Sequence, residues 1–445
     1  MMRTIVLNQK FHGIGQGLFY SAKISTQVDC AFRGEFNFIF DCGSLSARKY
    51  LIQEIGEYKK LLLRRNTIDL LIIISHLHSD HVNGLEQLLD DVEVNNLVLP
   101  YLYPAERALL SIISKGPKWY FDFLYSPTNF LKKRGVKNII YVSRGEDFKS
   151  EPPISKENLN EEREYESKYK FDFDELLDDI NTREKARGSG DDIDDSIIFK
   201  KDSKPARVHQ LWNFYFYVSP IEENILDLFS NKVKELFEDL SFFEIIRNKD
   251  KRKTLRDIYE KYINQDLNFT SLACLHGPFN LFPSFDFRNE LLPGYCHLPF
   301  FLPRSPFSKE CRLTCAEFYD CWRHMLDDFK GFYKNRSYTF LTGDINSISE
   351  WEGFKKRYQQ YFKYIHSFQI PHHGSKNNWN VEIPFDIGPS EYIISAGIHN
   401  KFRHPDIEVI QNLSQNLSPE IIKWAHCCPN VGIKIPRNIN NIIKI

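Results

Sequence analysis

Four side chains that could bind a metal ion lie within six positions of one another, at His76, His78, Asp80 and His81. They follow the run at 68–74, which is apolar and rich in β-branched residues apart from Asp69 and is typical of a strand buried on both faces. In a loop after this strand, His76 and His78 can converge on one ion while Asp80 and His81 turn toward a second. Imidazole and carboxylate ligands suit divalent ions such as Zn²⁺ or Mn²⁺. The alternative is a solvated polar loop, which this H-x-H-x-D-H spacing disfavours.

The rest of the sequence predicts strands that alternate with helices, as in an α/β protein. Strand-like runs occupy residues 17–24, 36–40, 97–100, 212–219, 338–341, 368–370, 392–395 and 432–435. Helical patterns occupy residues 48–65, 84–89, 222–262 and 316–332. Because the alternation appears in both halves of the chain, we expect one α/β sandwich that carries insertions.

Composition separates the sandwich from two predicted insertions. The chain is 42% hydrophobic and 26% charged, which is ordinary for a soluble globular protein. Residues 145–205 lack periodicity and hold 19 acidic against 11 basic residues, as in a solvated, flexible insertion. Residues 277–337 form a second, cysteine-containing insertion. We expect residues 1–144 and 338–445 to form the two halves of the domain, and 206–276 to return to its core with a helical segment.

The histidine cluster is the signature motif of the metallo-β-lactamase superfamily, which this chain resembles in other stretches too. L-T-G-D ends at Asp344, P-H-H-G-S contains His372 and His373, and Asp41 in F-D-C-G-S resembles an early strand-end aspartate. The resemblance implies an αββα sandwich with two metal ions at its edge. It implies that Asp344 bridges both ions and that Asp41 orients the metal loop. His372 follows its predicted strand most closely and is the preferred ligand, and His373 then faces the substrate or supports the ligands.

Further motifs are similar to the hydrolase domain of ComEC-type competence proteins. They are GIGQG at 13–17, NFTSL at 268–272, SAG at 395–397, then Asn400 and the pair His404 and Pro405. ComEC-type proteins thread DNA through a membrane channel. No apolar run here reaches the roughly 18 residues that a membrane span needs, so we expect a stand-alone relative and no membrane partner. The sequence also departs from the family pattern at Leu18, where an aspartate usually follows the glycine-rich start.

Many superfamily enzymes supply a further histidine ligand between the first cluster and the bridging aspartate. His209 and His276 are the candidates for this ligand. The alternative for His276 is an ordinary histidine at the end of a strand.

The resemblance places His404 across the cleft, beside the substrate. Asn400, Lys376, Lys401 and Arg403 are further candidate substrate contacts, the three cations by charge alone. For each cation the alternative is a solvated surface position. The predicted catalytic residues are therefore Asp80, His373 and His404.

Nine cysteines, an odd number scattered along a long chain, do not resemble a disulfide framework. We expect a reducing compartment, and the amino terminus has no secretory signal pattern, so the predicted location is the cytoplasm. The second predicted insertion contains six potential zinc ligands: Cys296, His297, Cys311, Cys315, Cys321 and His324. They include no C-x-x-C pair, so buried cysteine is the competing interpretation. A site at His426, Cys427 and Cys428 is less favoured.

Together these patterns predict a cytoplasmic hydrolase with two divalent ions, zinc or manganese. A metal-bridging hydroxide, oriented by Asp80, would attack a phosphoryl or carbonyl group. The net charge is -1, but the chain outside 145–205 carries +7, which is compatible with an anionic substrate. With the ComEC-type resemblance, this favours a phosphodiesterase or nuclease that acts on DNA, RNA or a nucleotide. The alternatives are an ester, lactone or thioester hydrolase, and a non-catalytic scaffold or sensor that binds protein partners through the insertions.

Overall fold

The structure is a computed structural model of the 445-residue chain. It describes residues 3–28, 31–46, 48–63, 69–102, 106–107, 110–111, 114–143, 171–173, 194, 196–208, 211–219, 228, 231–233, 235–237, 249–262, 271–279, 285–289, 336–397, 400–416 and 421–425.

Sixteen strands lie in these ranges. They are β1 (Arg3–Phe11), β2 (Gly17–Val28), β3 (Ala31–Ser44), β4 (Leu70–Ile73), β5 (Val94–Pro100), β6 (Val136–Ser143), β7 (Phe171–Phe173), β8 (Ile197–Lys201), β9 (Ala206–Val208), β10 (Trp212–Val218), β11 (Leu272–Pro278), β12 (Phe285–Asn289), β13 (Tyr338–Leu341), β14 (Ile365–Gln369), β15 (Glu391–Ser395) and β16 (Ile422–Ala425). The described helices are α1 (Arg48–Leu63), α2 (Ser79–Val82), α3 (Leu85–Leu89), α4 (Lys118–Tyr125), α5 (Pro127–Lys132), α6 (Lys249–Tyr262), α7 (Ser347–Phe362), α8 (Ile383–Asp386) and α9 (Ile407–Asn416), with 3₁₀ turns at Pro371–Gly374 and Lys376–Asn378.

The strands form two sheets of eight described strands each. The first has the order β12-β1-β2-β3-β4-β5-β6-β8 and the second β16-β15-β14-β13-β11-β10-β9-β7. In the first sheet β3, β4, β5, β6 and β8 run parallel to one another. In the second, β13, β14, β15 and β16 do the same. Parallel strands bring their carboxyl ends to one edge of a sheet, where ligands and catalytic groups commonly lie.

Three buried clusters define four layers. Residues such as Phe38 and Phe214 fill the space between the two sheets. Ile55 of α1 and Phe123 of α4 belong to a cluster on the outer face of the first sheet, and Trp351 of α7 belongs to one on the outer face of the second. The architecture is therefore an αββα sandwich, and the predicted fold class is confirmed.

Helix α1 shows how the sequence builds an outer layer. Its buried residues are Leu51, Ile55, Tyr58 and Leu62. This spacing of four, three and four places all of them on one face of a helix, which packs on the sheet while the charged face meets water. The predicted helix at 48–65 and this element agree to within two residues.

The two predicted insertions contribute strands, which corrects their boundaries. Residues 197–201, inside the predicted insertion 145–205, form β8 and pair with β6, and residues 171–173 pair with β9. Residues 285–289, inside 277–337, pair in parallel with β1. The sequence analysis missed these short strands for two reasons. Their surroundings are charged and proline-rich, and the strands they pair with lie far away in the sequence.

Several predictions fall on residues outside the described ranges. They are the zinc candidates at 296–324 and 426–428, the strand at 432–435, the helix at 316–332, His209, and residues 268–270 of the NFTSL stretch. Among the helices that the structure describes, none combines the length and the apolar character needed to cross a membrane.

Candidate metal centre

The histidine cluster lies at the carboxyl end of the first sheet's parallel strands. His76 and His78 are in the connection from β4 to α2, and Asp80 and His81 are in α2 itself. His76 and His81 are buried, whereas His78 is half-buried. The hydroxyl of Tyr120, on α4, donates a 2.8 Å hydrogen bond to the carbonyl of Leu77. A helix of the outer layer therefore fixes the backbone between the first two histidines.

Two glycines let the ends of β2 and β3 approach this loop. A Cβ at Gly43 would lie 2.5 Å from the carbonyl carbon of Asp80, and one at Gly17 would lie 2.8 Å from its carbonyl oxygen. No side chain fits at such distances. The Asn83 side chain accepts from the Ser44 N–H at 2.9 Å and donates to the Ser44 carbonyl at 2.7 Å. The loop is thus held against the strand ends on both sides of the cluster.

Asp41 and Ser75 set the orientation of two of the histidines. Asp41 accepts from the Ser75 N–H at 2.6 Å and from the Ser75 hydroxyl at 2.6 Å. It also accepts from Nδ1 of His81 at 2.7 Å, and His76 Nδ1 lies 2.9 Å from the Ser75 hydroxyl oxygen. With these bonds made, both rings carry their proton on Nδ1 and leave Nε2 as a ligand atom. The family resemblance predicted the role of Asp41, but the sequence analysis missed Ser75, whose only signal is its place directly before His76.

Asp344 divides the surrounding imidazoles into two pairs. Its Oδ1 lies 3.2 Å from Nε2 of His81 and 3.6 Å from Nε2 of His373. Its Oδ2 lies 3.7 Å from Nε2 of His76 and 3.6 Å from Nε2 of His372. The aspartate is buried and follows β13 of the second sheet. One carboxylate therefore faces two groups of nitrogen atoms, one with each oxygen.

The late histidines lie in a strained turn after β14. His372 and His373 have φ values of 46° and 57°, which non-glycine residues adopt at a cost of about 1–3 kcal/mol each. Nδ1 of His373 donates a 2.6 Å hydrogen bond to the carbonyl of Ser395, which directs Nε2 toward Asp80 and Asp344, 3.6 Å from an oxygen of each. Its ring is buried, whereas His372 is half-buried. The turn thus presents both rings to Asp344, a geometry that the sequence does not reveal.

Asp80, His81, Asp344 and His373 each offer a ligand atom, and these atoms all lie within 4.8 Å of one another. Among the described residues, no hydrogen bond satisfies Nε2 of His76, His81 and His373 or Oδ1 of Asp344, although all four atoms are buried. Unsatisfied buried acceptors are rare in native proteins. Their convergence fits a divalent cation, and this His/Asp cluster could hold one.

The electrostatics also suit a cation. Burial alone would raise the pKa of Asp344, but His81, His372 and His373 outweigh it and hold that pKa well below its usual range. Burial likewise opposes ionisation of Asp80, and its contact with His373 keeps the pKa of Asp80 low. Burial and the neighbouring His81 lower the pKa of His76 well below its ordinary value. The same carboxylates raise the pKa of His81 and of His373, against the effect of burial. The buried carboxylates thus attract positive charge at this point, which protons supply on the imidazoles and which a divalent cation could supply instead.

Residues 27–119 match the family model for the metallo-beta-lactamase superfamily. The matched segment contains Asp41 and the whole histidine cluster, and it indicates a metal-dependent hydrolase. A search of curated proteins finds no match to the chain. The ComEC-type resemblance stays a prediction.

His404 lies beside this cluster of histidines and aspartates, with its ring centroid 6.0 Å from that of His372. Asn400 holds the loop that carries it. The Asn400 side chain accepts from the His404 N–H at 3.0 Å and donates to the carbonyl of Gly397 at 2.7 Å. The Asn400 amide is therefore engaged in shaping the loop.

The three candidate cations differ in their surroundings. Lys376 forms a 2.8 Å ion pair with Glu408, so a phosphate would have to compete with this carboxylate. Lys401 and Arg403 are exposed on the loop between Asn400 and His404. Both are nearer in sequence to His404 than Lys376 is, and neither forms an ion pair with a described residue.

His276 lies in the core and is no metal ligand. Its Nδ1 accepts from the indole N–H of Trp212 at 3.3 Å, and its Nε2 lies 3.1 Å from the Tyr20 hydroxyl. Its ring packs edge-on against Phe38, with the centroids 4.9 Å apart. The alternative weighed for this residue, an ordinary histidine at a strand end, is the one that the structure supports.

Proposed function

We propose that the protein is a two-metal phosphodiesterase that acts on nucleic acid or a nucleotide. The observation that carries the proposal is the division of imidazoles by Asp344, because a carboxylate that faces two ligand groups is suited to bridge two cations.

The donor set supports two ions. Oδ1 of Asp344 would share one ion with Asp80, His81 and His373. Oδ2 would share the other with His76 and His372, and His78 would join them, since its ring centroid lies 4.9 Å from that of His76. In this arrangement His372 supplies the further histidine that many superfamily enzymes take from elsewhere. Nitrogen and carboxylate donors suit zinc or manganese.

When bound, the two ions would supply a hydroxide near neutral pH and would stabilise charge on the attacked phosphoryl group. The side chains do the rest. Asp80 orients the attacking oxygen, while the buried strand ends exclude bulk water behind it. His404 is neutral near pH 7, because burial lowers its pKa despite the nearby Asp406. It holds a substrate oxygen, or the departing one, on the open side of the site.

The substrate class is supported by charge. The chain outside 145–205 carries +7, and Lys401 and Arg403 are exposed beside His404. Cations at this rim attract a phosphate backbone.

The test is metal analysis together with cleavage assays on one preparation. Substrates are labelled single- and double-stranded DNA and RNA, bis-p-nitrophenyl phosphate and simple esters, with Mn²⁺, Mg²⁺ or Zn²⁺ added. We expect two metal ions per chain and phosphodiester cleavage. Asp344→Asn should lose metal and abolish cleavage, because an amide cannot bridge two cations, whereas the exposed control Asp90→Asn should retain both.

Each alternative has its own outcome in that assay. Cleavage of esters but not of phosphodiesters, abolished by Asp344→Asn, would overturn the substrate class and keep the site. Protein that holds two ions but cleaves none of these substrates would favour the scaffold or sensor hypothesis.

A further inference from the structure

Phe402 is an exposed aromatic residue next to the candidate metal centre. It is 45% exposed. Its ring is nearly parallel to that of His404, with 10° between the planes and 6.1 Å between the centroids, and His404 in turn lies 6.0 Å from His372. A continuous row of rings therefore leads from the metal ligands to the surface.

The loop that carries Phe402 is fixed at both sides. Asn400 bonds to Gly397 and His404, as described above. Beyond His404, the N–H of Asp406 donates to the carbonyl of Gly374 at 2.9 Å. A Cβ at Gly374 would lie 2.6 Å from Pro405, so this loop packs closely on the turn that holds His372. Phe402 is thus presented at a defined position relative to the site.

Two cations flank this ring in sequence. The ammonium of Lys401 lies 4.7 Å from the Phe402 ring centroid. An exposed cation–π contact of this kind is weak, and the lysine stem is flexible, so a flat aromatic ligand can displace the ammonium. Arg403 is exposed and has a φ of 62°, a left-handed conformation that turns the chain sharply between the two rings.

We propose that Phe402 is the stacking surface for an unpaired nucleobase of the substrate, and that Lys401 and Arg403 bind the phosphates beside that base. The inference rests on the proposed function and narrows it to single-stranded nucleic acid. Bases in a duplex are already stacked on one another, whereas a single strand offers free base faces to an aromatic side chain.

The test is a binding measurement on the full-length chain carrying Asp344→Asn, so that cleavage does not intervene. The probes are a fluorescein-labelled oligothymidylate, the same strand with abasic sites, and a blunt-ended duplex, and their binding is measured by fluorescence anisotropy. Adding Phe402→Ala should weaken binding of the oligothymidylate by roughly 5- to 100-fold and leave the abasic strand and the duplex unchanged. Phe402→Trp should bind at least as tightly as the parent.

The matched control is Phe385→Ala, which removes a more exposed phenylalanine, at 72%, and should change nothing. Lys401→Ala and Arg403→Ala should each flatten the salt dependence by about one phosphate contact. The proposal is overturned if Phe402→Ala binds oligothymidylate like the parent, if the abasic strand loses as much affinity, or if the parent binds no single strand.

The binding measurements and the cleavage assays test the two proposals separately. Phosphodiester cleavage by the wild-type protein, with no effect of Phe402→Ala on binding, would keep the proposed function and overturn the stacking role. Base-dependent binding without any metal-dependent cleavage would keep the stacking role of Phe402 and overturn the proposed phosphodiesterase function.

Discussion

Asp41 is not one of the proposed metal ligands, yet it orients two of the histidines that are. It holds His81 directly and His76 through the Ser75 hydroxyl. A carboxylate accepts hydrogen bonds from both, whereas an amide must turn a donor toward one of them. The geometry of the first sheet's ligands therefore depends on this single carboxyl group.

We predict that Asp41→Asn weakens the binding of both metal ions by about 10- to 100-fold, with the far-UV circular dichroism unchanged. Ser75→Ala keeps the bond between Asp41 and His81 and should weaken chiefly the ion near His76. Titration with Zn²⁺, followed calorimetrically, resolves the two steps. The exposed variants Asp90→Asn and Ser349→Ala are the controls, and equal effects of Ser75→Ala on both steps would contradict the assignment of the tautomers.

His404 faces the site from the other side. Among the described residues, no hydrogen bond or ion pair joins His404 to Asp344. We predict that His404→Ala lowers kcat by about 100-fold or more, as expected for a residue that moves or holds a proton, while both ions remain bound. Metal analysis and steady-state kinetics on the same sample check this. Loss of metal would instead make His404 a ligand.

At the scale of elements, β8 shows where the compositional boundary is wrong. Phe199 in this strand is buried, and its ring stacks on Tyr141 of β6 with centroids 5.4 Å apart. It belongs to the same cluster as α1 and α4. The end of the acidic segment thus contributes to the main core.

Phe199→Ala should therefore lower the free energy of unfolding by about 3–5 kcal/mol, the usual cost of removing a buried phenylalanine. Lys204→Ala, an exposed substitution a few residues later, should change it by less than about 0.5 kcal/mol. Thermal and urea unfolding measure both. A mild effect of Phe199→Ala would show that β8 is dispensable.

Elements with strong local patterns were predictable, and those that depend on distant partners were not. The run at 68–74 and the amphipathic pattern of the helix at 48–65 can both be recognised from the local sequence alone. Strands β7, β8 and β12 have only three to five residues and gain their stability from partners elsewhere in the chain. The left-handed turn at His372 and His373 likewise depends on packing, so the sequence alone favoured one histidine where the structure presents two.

At the scale of the whole molecule, a buried polar network joins the two sheets. Gln9 accepts from the hydroxyls of Tyr20 and Thr339 and donates to Ser367 at 2.8–2.9 Å. His276 adds to it through Tyr20, and burial lowers the pKa of His276 to about 3. A protonated ring would aim an N–H at the indole N–H of Trp212, so the folded protein keeps this histidine neutral.

This makes the stability of the protein depend on pH. Below pH 6.5 the unfolded chain binds a proton at His276 and the folded chain does not, so the unfolded state is favoured as pH falls. The expected loss is about 1.4 kcal/mol per pH unit between roughly 6.5 and 3. His276→Gln should reduce the pH slope by this amount, measured by urea unfolding of metal-free protein at several pH values; an unchanged slope would show that His276 is already charged in the fold.

The candidate ligands come from two segments of the chain that are made at different times. Residues 76–81 leave the ribosome long before Asp344 and His372, by roughly 10–50 s at about 5–20 residues per second. A nascent chain in that interval carries three histidines and an aspartate, but the later ligands Asp344, His372 and His373 have not yet been made. We therefore expect the complete ligand set to bind metal late in biosynthesis, once the strands β13 and β14 have docked beside the histidine cluster.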